Sequence, residues 1–319
     1  MAKKTKLRLK RSVLYKFSIF LIIVFIGSIY GNQKYEEYKY KQTLEYKLTQ
    51  KGWSKNQIKD LKKYYKDHMN DVLKMRVNEN VINFAKEKYF LYKNLDAYLD
   101  YAKNNEDVSL TDVVAIINTH SDNEWYTYDL DTDTTLEERL IVNKFYHLNE
   151  EYNPEDIVEI SSKYAYADNH MRQEAYDAFK NMWNAAMDNG IQFIINSSYR
   201  DFNSQKEIYE DYKNWYGEEK ADSQAARPGY SEHQTGYAID LFAKDNQLSD
   251  TFEESEGYKW LQNNAYKYGF IERYPKDKQY LTGYAFESWH WRYVGVEAAT
   301  VIHNEKITYD EYYAYYIEK

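Results

Sequence analysis

The chain has seven histidines and no cysteine. That excludes thiolate nucleophiles, disulfides, iron–sulfur clusters, cysteine zinc fingers and lipid attachment through sulfur, so any metal site must be built from His, Asp and Glu. His68 falls in a charged helical stretch and His147 and His170 flank loops, ordinary settings for a solvated imidazole. Two histidines stand apart. His233 lies in GYSEHQTGYAIDLF, with Asp240 seven residues later on a stretch otherwise lined with apolar residues. His290 lies in FESWHWRYVG, with Glu287 three residues before it.

A carboxylate on an apolar strand is costly unless it is paired or binds a metal. His233, Asp240 and His290 would give three protein ligands and leave a fourth position open, the pattern of a catalytic rather than a structural zinc site. Glu287 is then a spare carboxylate placed to take a proton from an attacking water. A spacing of seven along one flat strand would put His233 and Asp240 on opposite faces. A turn at Gln234–Gly236 lets them converge, since Gly236 accepts backbone conformations closed to other residues. On spacing alone, a buried His–Asp hydrogen bond beside an aromatic strand accounts for the same residues equally well.

These residues must be held by strands and helices of mixed order. The pattern IQFIINS (Ile191–Ser197) predicts a strand that delivers Arg200 near its end, and YAIDLF (Tyr237–Phe242) alternates with Ile239 and Leu241 on one face and Asp240 on the other. WHWRYVG alternates again, and LIVNKFY (Leu140–Tyr146) reads as a strand. Helices are expected over Asn169–Asp188 with Gly190 after its end, from a cap at Asn203 or Ser204 to about Tyr216, over Glu256–Tyr268 closed by Gly269, near Glu297–His303, and after a Thr308/Glu311 cap. There is no regular βαβ rhythm. The expectation is an α+β fold with a mostly antiparallel sheet and flanking helices.

The N-terminal part carries no comparable chemistry. Residues 1–16 hold seven basic groups and no acidic one, directly before the run VLYKFSIFLIIVFIGSIYG, Val13–Gly31. About 20 apolar residues span a bilayer, and Lys or Arg on one flank keeps that flank in the cytoplasm. No A-x-A-like cleavage site follows. The expectation is therefore a basic cytoplasmic tail (1–12), an uncleaved signal anchor (13–31) and the rest of the chain outside a bacterial, Gram-positive cell, with a cleaved signal peptide as the competing reading. Residues 32–135 read as a charged stalk and a small helical accessory region. Its expected helices are one from a Ser54/Gln57 capping box to about Arg76, one over 81–103, and a short one capped by Ser109. Without the seven N-terminal bases, 35 of the 42 Lys and Arg remain against 51 Asp and Glu, net −16. A body that acidic is a poor nucleic-acid binder.

SSYRDFNSQ (197–205), PGYSEHQTGYAID (228–240), NAYKYGFIERYP (264–275) and ESWHWRYVG (287–295) closely resemble the VanY-type zinc D-alanyl-D-alanine carboxypeptidases. The family pattern S-x-H-x-x-G-x-A-x-D is present as Ser231, His233, Gly236, Ala238 and Asp240, and E-x-W-H as Glu287, Trp289 and His290. The resemblance covers roughly 136–319, the expected catalytic domain. It implies the D-alanyl-D-alanine peptidase fold shared with the signalling domain of hedgehog proteins. It implies Zn2+ as cofactor on His233, Asp240 and His290, Glu287 as general base, and Arg200 stabilising the reacting carbonyl or binding a terminal carboxylate. Gln205, Ser231 and Trp289 resemble substrate-pocket residues. The implied substrate is the peptidoglycan stem peptide, trimmed of its terminal D-alanine. Cleavage of tetrapeptide stems by an L,D-carboxypeptidase and a noncatalytic zinc-containing wall-binding or signalling module are the alternatives.

Overall fold

The computed structural model describes residues 10–318 apart from 245, 247 and 248. The basic cluster at Lys3, Lys4, Lys6 and Arg8 lies outside the described residues. The chain separates into two compact units, Met1–Lys86 and Glu87–Lys319.

In the first unit the apolar run forms part of one continuous helix, Arg11–Gln42, whose residues are all exposed. It is long and apolar enough to cross a membrane. Thr43 caps the following helix Leu44–Lys51. The Ser54/Gln57 capping box forms as expected, but its helix stops at Tyr64 rather than near Arg76. There Tyr65 is buried, its hydroxyl donating to the Val81 carbonyl, and a short 3-10 turn replaces the next helical turn. The helix expected over 81–103 is broken into Glu79–Phe84 and Leu95–Asn104. In the second unit the Tyr98 hydroxyl takes the Leu91 N–H, which a continuous helix would have satisfied internally.

Among its described residues the second unit holds eight strands. β1 (Leu130–Asp131) pairs in parallel with β2 (Tyr146–His147), and β3 (Ile157–Glu159) antiparallel with β4 (His170–Arg172). β5 (Phe193–Ser197), β6 (Ala238–Ala243), β7 (Phe270–Glu272) and β8 (His290–Tyr293) form an antiparallel sheet in the order β5-β6-β8-β7. The α+β expectation holds.

Period-two alternation sets the two faces of that sheet. Ile239 and Leu241 of β6, with Trp291 and Tyr293 of β8, enter the main core against Phe179, Met182 and Trp183 of the helix Gln173–Met187. Asp240, His290 and Arg292 therefore point to the other face. Ile271 and Val294 join a second core closed by Tyr309, Tyr312 and Tyr313 near the C-terminus.

Three local expectations fail. Leu140–Phe145 is not a strand, because the Asn143 side chain accepts the N–H groups of Phe145 and Tyr146 and turns the chain. The apolar residues there are buried in cores instead. The helix expected from Asn169 starts at Gln173, since His170–Arg172 pair with β3. The cap of Phe202–Tyr216 is Asp201, whose carboxylate accepts the Ser204 N–H at 2.7 Å, rather than Asn203 or Ser204. The Thr308/Glu311 capping box forms as read.

Candidate metal centre and cleft

His233 sits on a 3-10 turn, Glu232–Thr235, between Ser231 and Gly236. Gly236 has φ +72°, and a Cβ there would lie 2.7 Å from Ile157 Cδ1 and 2.8 Å from Arg172 Cγ. Only glycine fits both the conformation and the space. This turn folds His233 back over β6. Asp240 arrives from β6 and His290 from β8, directly opposite each other in the ladder. Such cross-strand partners project from the same face.

Asp240 Oδ1 lies 3.6 Å from His233 Nε2 and 3.2 Å from His290 Nδ1. One ligand atom from each of the three residues falls within 4.8 Å of the others. A tetrahedron with zinc-like bonds of 2.0–2.2 Å has an edge of about 3.4 Å, so the donor set fits such an ion. The remaining ring nitrogens face away from the cluster. His233 Nδ1 meets the Ser198 carbonyl at 2.6 Å, and His290 Nε2 meets Glu232 Oε2 at 3.3 Å.

Charge is unevenly distributed around these donors. Burial works to raise the Asp240 pKa, but His233 and His290 outweigh it and hold the carboxyl well below the usual range. Burial lowers the pKa of His233. For His290 burial is outweighed by Asp240 and Glu232, which push it up to about 9 without a cation present. A cation on Nδ1 would take the place of that proton. Glu287 Oε2 stands 3.9 Å from His290 Nδ1, and burial pushes its carboxyl up to about 7. Asp240 and Glu287 are thus two adjacent carboxyls with separated pKa values, one suited to holding charge and one to exchanging a proton.

Arg200 enters from the loop after β5. Its Nη1 donates to Gln205 Oε1 at 2.6 Å and its Nη2 to Ser197 Oγ at 3.0 Å, while Gln205 Nε2 donates to the Ala226 carbonyl at 2.7 Å. The guanidinium is thereby fixed in direction. Arg200, Gln205, Ser231, His233, Asp240, Glu287, Trp289 and His290 all line one cleft of about 250 Å³. Every site residue singled out in the sequence is brought together there.

Sequence reading missed the layer behind the cleft. Glu232, Arg273, Arg292 and Asp310 are buried and joined by hydrogen bonds. Burial works to raise the Glu232 pKa, but Arg273 and Arg292 outweigh it and keep the carboxylate ionised. The signal was present for Arg292. It lies two residues after His290 on an alternating strand, so it must share that buried face and needs a carboxylate partner there. Tyr274 lies in the block 264–275 but had no role read for it, and Tyr284, which also walls the cleft, carried no signal of its own.

A family model for VanY, D-alanyl-D-alanine carboxypeptidase, matches residues 168–296. The chain is 43% identical over 179 residues to the putative carboxypeptidase YodJ of Bacillus subtilis (strain 168), covering 54% of this chain and 66% of that protein. It is 36% identical over 189 residues to a D-alanyl-D-alanine carboxypeptidase of Enterococcus faecium, covering 56% of this chain and 58% of that one. The match spans less than two thirds of the length of these curated relatives. The solved structure of the LdcB LD-carboxypeptidase aligns with a TM-score of 0.53 at 42% identity, over 55% of this chain and 84% of that chain.

Proposed function

Because the chain belongs to the VanY family of D-alanyl-D-alanine carboxypeptidases, we propose that it is a zinc metallopeptidase removing the C-terminal D-alanine of peptidoglycan stem peptides. The observation that carries this reading is the His233–Asp240–His290 donor set facing the same cleft as the buried Glu287 and the oriented Arg200.

In this reading Zn2+, held by those three residues, supplies Lewis acidity that polarises a carbonyl and acidifies water. Glu287 takes the proton of the attacking water and passes it to the leaving amine, a task for which a carboxyl near pKa 7 is matched. Arg200, braced by Gln205 and Ser197, presents its charge to the oxygen that gains negative charge or to the terminal carboxylate of the substrate. Ser231 and Trp289 shape the pocket beside them. The catalytic domain is assigned to residues 136–319, behind a stalk and helical region at 32–135. The helix Arg11–Gln42 serves as a single-pass anchor that leaves the domain outside the cytoplasmic membrane, where stem peptides are mature.

A second reading, L,D-cleavage of tetrapeptide stems, is favoured by the 42% identity to the LdcB LD-carboxypeptidase. Incubation of the full-length protein with tri-, tetra- and pentapeptide stems and mass spectrometry of the products tests both. Pentapeptide trimmed to tetrapeptide supports D,D-activity, and tetrapeptide trimmed to tripeptide supports L,D-activity. Zinc-loaded protein that leaves all three stems intact refutes the peptidase reading.

A further inference from the structure

We propose that Glu232 is a positioning residue for the metal centre: one of its carboxylate oxygens is clamped by two arginines, and the other holds the proton of His290 on Nε2, so that Nδ1 is the nitrogen offered to the cation. This rests on the metallopeptidase reading and adds a residue to it.

The geometry is one-sided. Glu232 Oε1 accepts from Arg273 Nε at 2.7 Å and from Arg292 Nη1 at 3.0 Å, while Oε2, among the described residues, meets only His290 Nε2, at 3.3 Å. The side chains of Glu232, Arg273 and Arg292 are 0% exposed. Neither arginine is free to release its oxygen. Arg273 is held from behind by Asp310 at 2.6 and 3.2 Å, and Asp310 in turn accepts from Asn143 at 2.8 Å. Arg292 spends its other donors on the carbonyls of Tyr293, Glu138 and Leu140. Two guanidiniums and two carboxylates balance. Ion pairs buried this deeply are a poor source of stability, because desolvating them cancels most of their attraction. Orienting a ligand is a use for which such rigidity is suited: a carboxylate on the far nitrogen of a ligating histidine fixes its tautomer and raises its basicity.

The Glu232→Gln variant isolates this role. The amide has one oxygen, and Arg273 and Arg292 both claim it. Its NH2 group must then face His290 Nε2. The imidazole answers with a lone pair at Nε2 and its proton at Nδ1, the nitrogen that faces Asp240 and the cleft. A protonated Nδ1 cannot ligate.

The test is made on the full-length protein in detergent with 15N-labelled histidine. In the zinc-loaded wild type, long-range 1H–15N spectra are expected to show His290 protonated at Nε2 and metal-bound at Nδ1. In Glu232→Gln, competition with a chromophoric chelator is expected to show zinc affinity lowered ~10–100-fold, with the His290 proton moved to Nδ1. A wild-type His290 ligating through Nε2 overturns the proposal, and that spectrum decides the matter even if the variant does not fold. A folded Glu232→Gln that keeps wild-type zinc affinity and the Nε2 proton also overturns it. A wild type that binds no zinc removes the metallopeptidase reading together with the proposal, an outcome distinct from the other two.

Discussion

Asp240 on β6 and His290 on β8 are directly opposed ladder partners, although 50 residues separate them, and their side chains meet at 3.2 Å. One candidate metal ligand is thus presented to another by the register of the sheet. A slip of one residue would send His290 into the core and Trp291 into the cleft.

The full-length protein is expected to bind one zinc ion per chain. Asp240→Ala should abolish tight binding, because it removes a ligand and leaves two imidazoles facing each other. Metal analysis after dialysis against a weak chelator checks this. Stoichiometric zinc in the Asp240→Ala protein would refute the assignment.

Glu287→Gln should keep zinc and lose ~10²–10⁴-fold in turnover, since an amide cannot accept the proton. A base works only when ionised, so activity should fall as pH drops through the Glu287 pKa. Burial places that pKa at about 7, and a neighbouring cation favours the carboxylate, so the acid limb of kcat/KM should lie at or below pH 7. The limb should disappear in the residual activity of the variant. A pH–rate profile of both proteins on a stem peptide reads out each point.

Arg200→Lys should be far from conservative. Its two donors reach Gln205 and Ser197 in fixed directions that a single ammonium cannot reproduce. Losing an oriented charge at a developing oxyanion costs ~10²–10³-fold in kcat. A defect confined to KM would instead place Arg200 on the terminal carboxylate of the substrate.

Gly236→Ala should destabilise the second unit by ~1–3 kcal/mol, because the positive φ is costly for alanine and the new methyl overlaps Ile157 and Arg172. Metal-free thermal melts measure the loss. Zinc affinity should fall as well, since Gly236 ends the turn that carries His233.

Untreated protein should be found in the membrane fraction, and protease shaving of intact, wall-stripped cells should digest its second unit. A mature N-terminus near residue 32 in the medium would show cleavage of the apolar segment. Full protection would reverse the topology and remove the access to mature stem peptides.

What the sequence determined by itself was local in physical origin. The capping boxes at Ser54/Gln57 and Thr308/Glu311 formed because both partners lie within one helical turn. The alternation in β6 told which face Asp240 takes, because side chains on a strand point to either side in turn. The family motifs carried the eight residues proposed for the site.

Tertiary structure decided what depends on distant neighbours. Leu140–Phe145 is as apolar as a strand, yet Asn143, whose amide donates to Asp310 far along the chain, captures with its side-chain oxygen the N–H groups a ladder would have used. The helix expected over 81–103 gave way where the Tyr98 hydroxyl, itself donating to Asn118 of a later helix, took the Leu91 N–H. Glu232, an unremarked letter between Ser231 and His233, became the carboxylate behind His290 because Arg273, Arg292 and Asp310 arrive from three later stretches of chain. Register, burial and the pairing of buried charges are relations between segments far apart in the chain. No local propensity encodes them, and they exist only once the segments have packed.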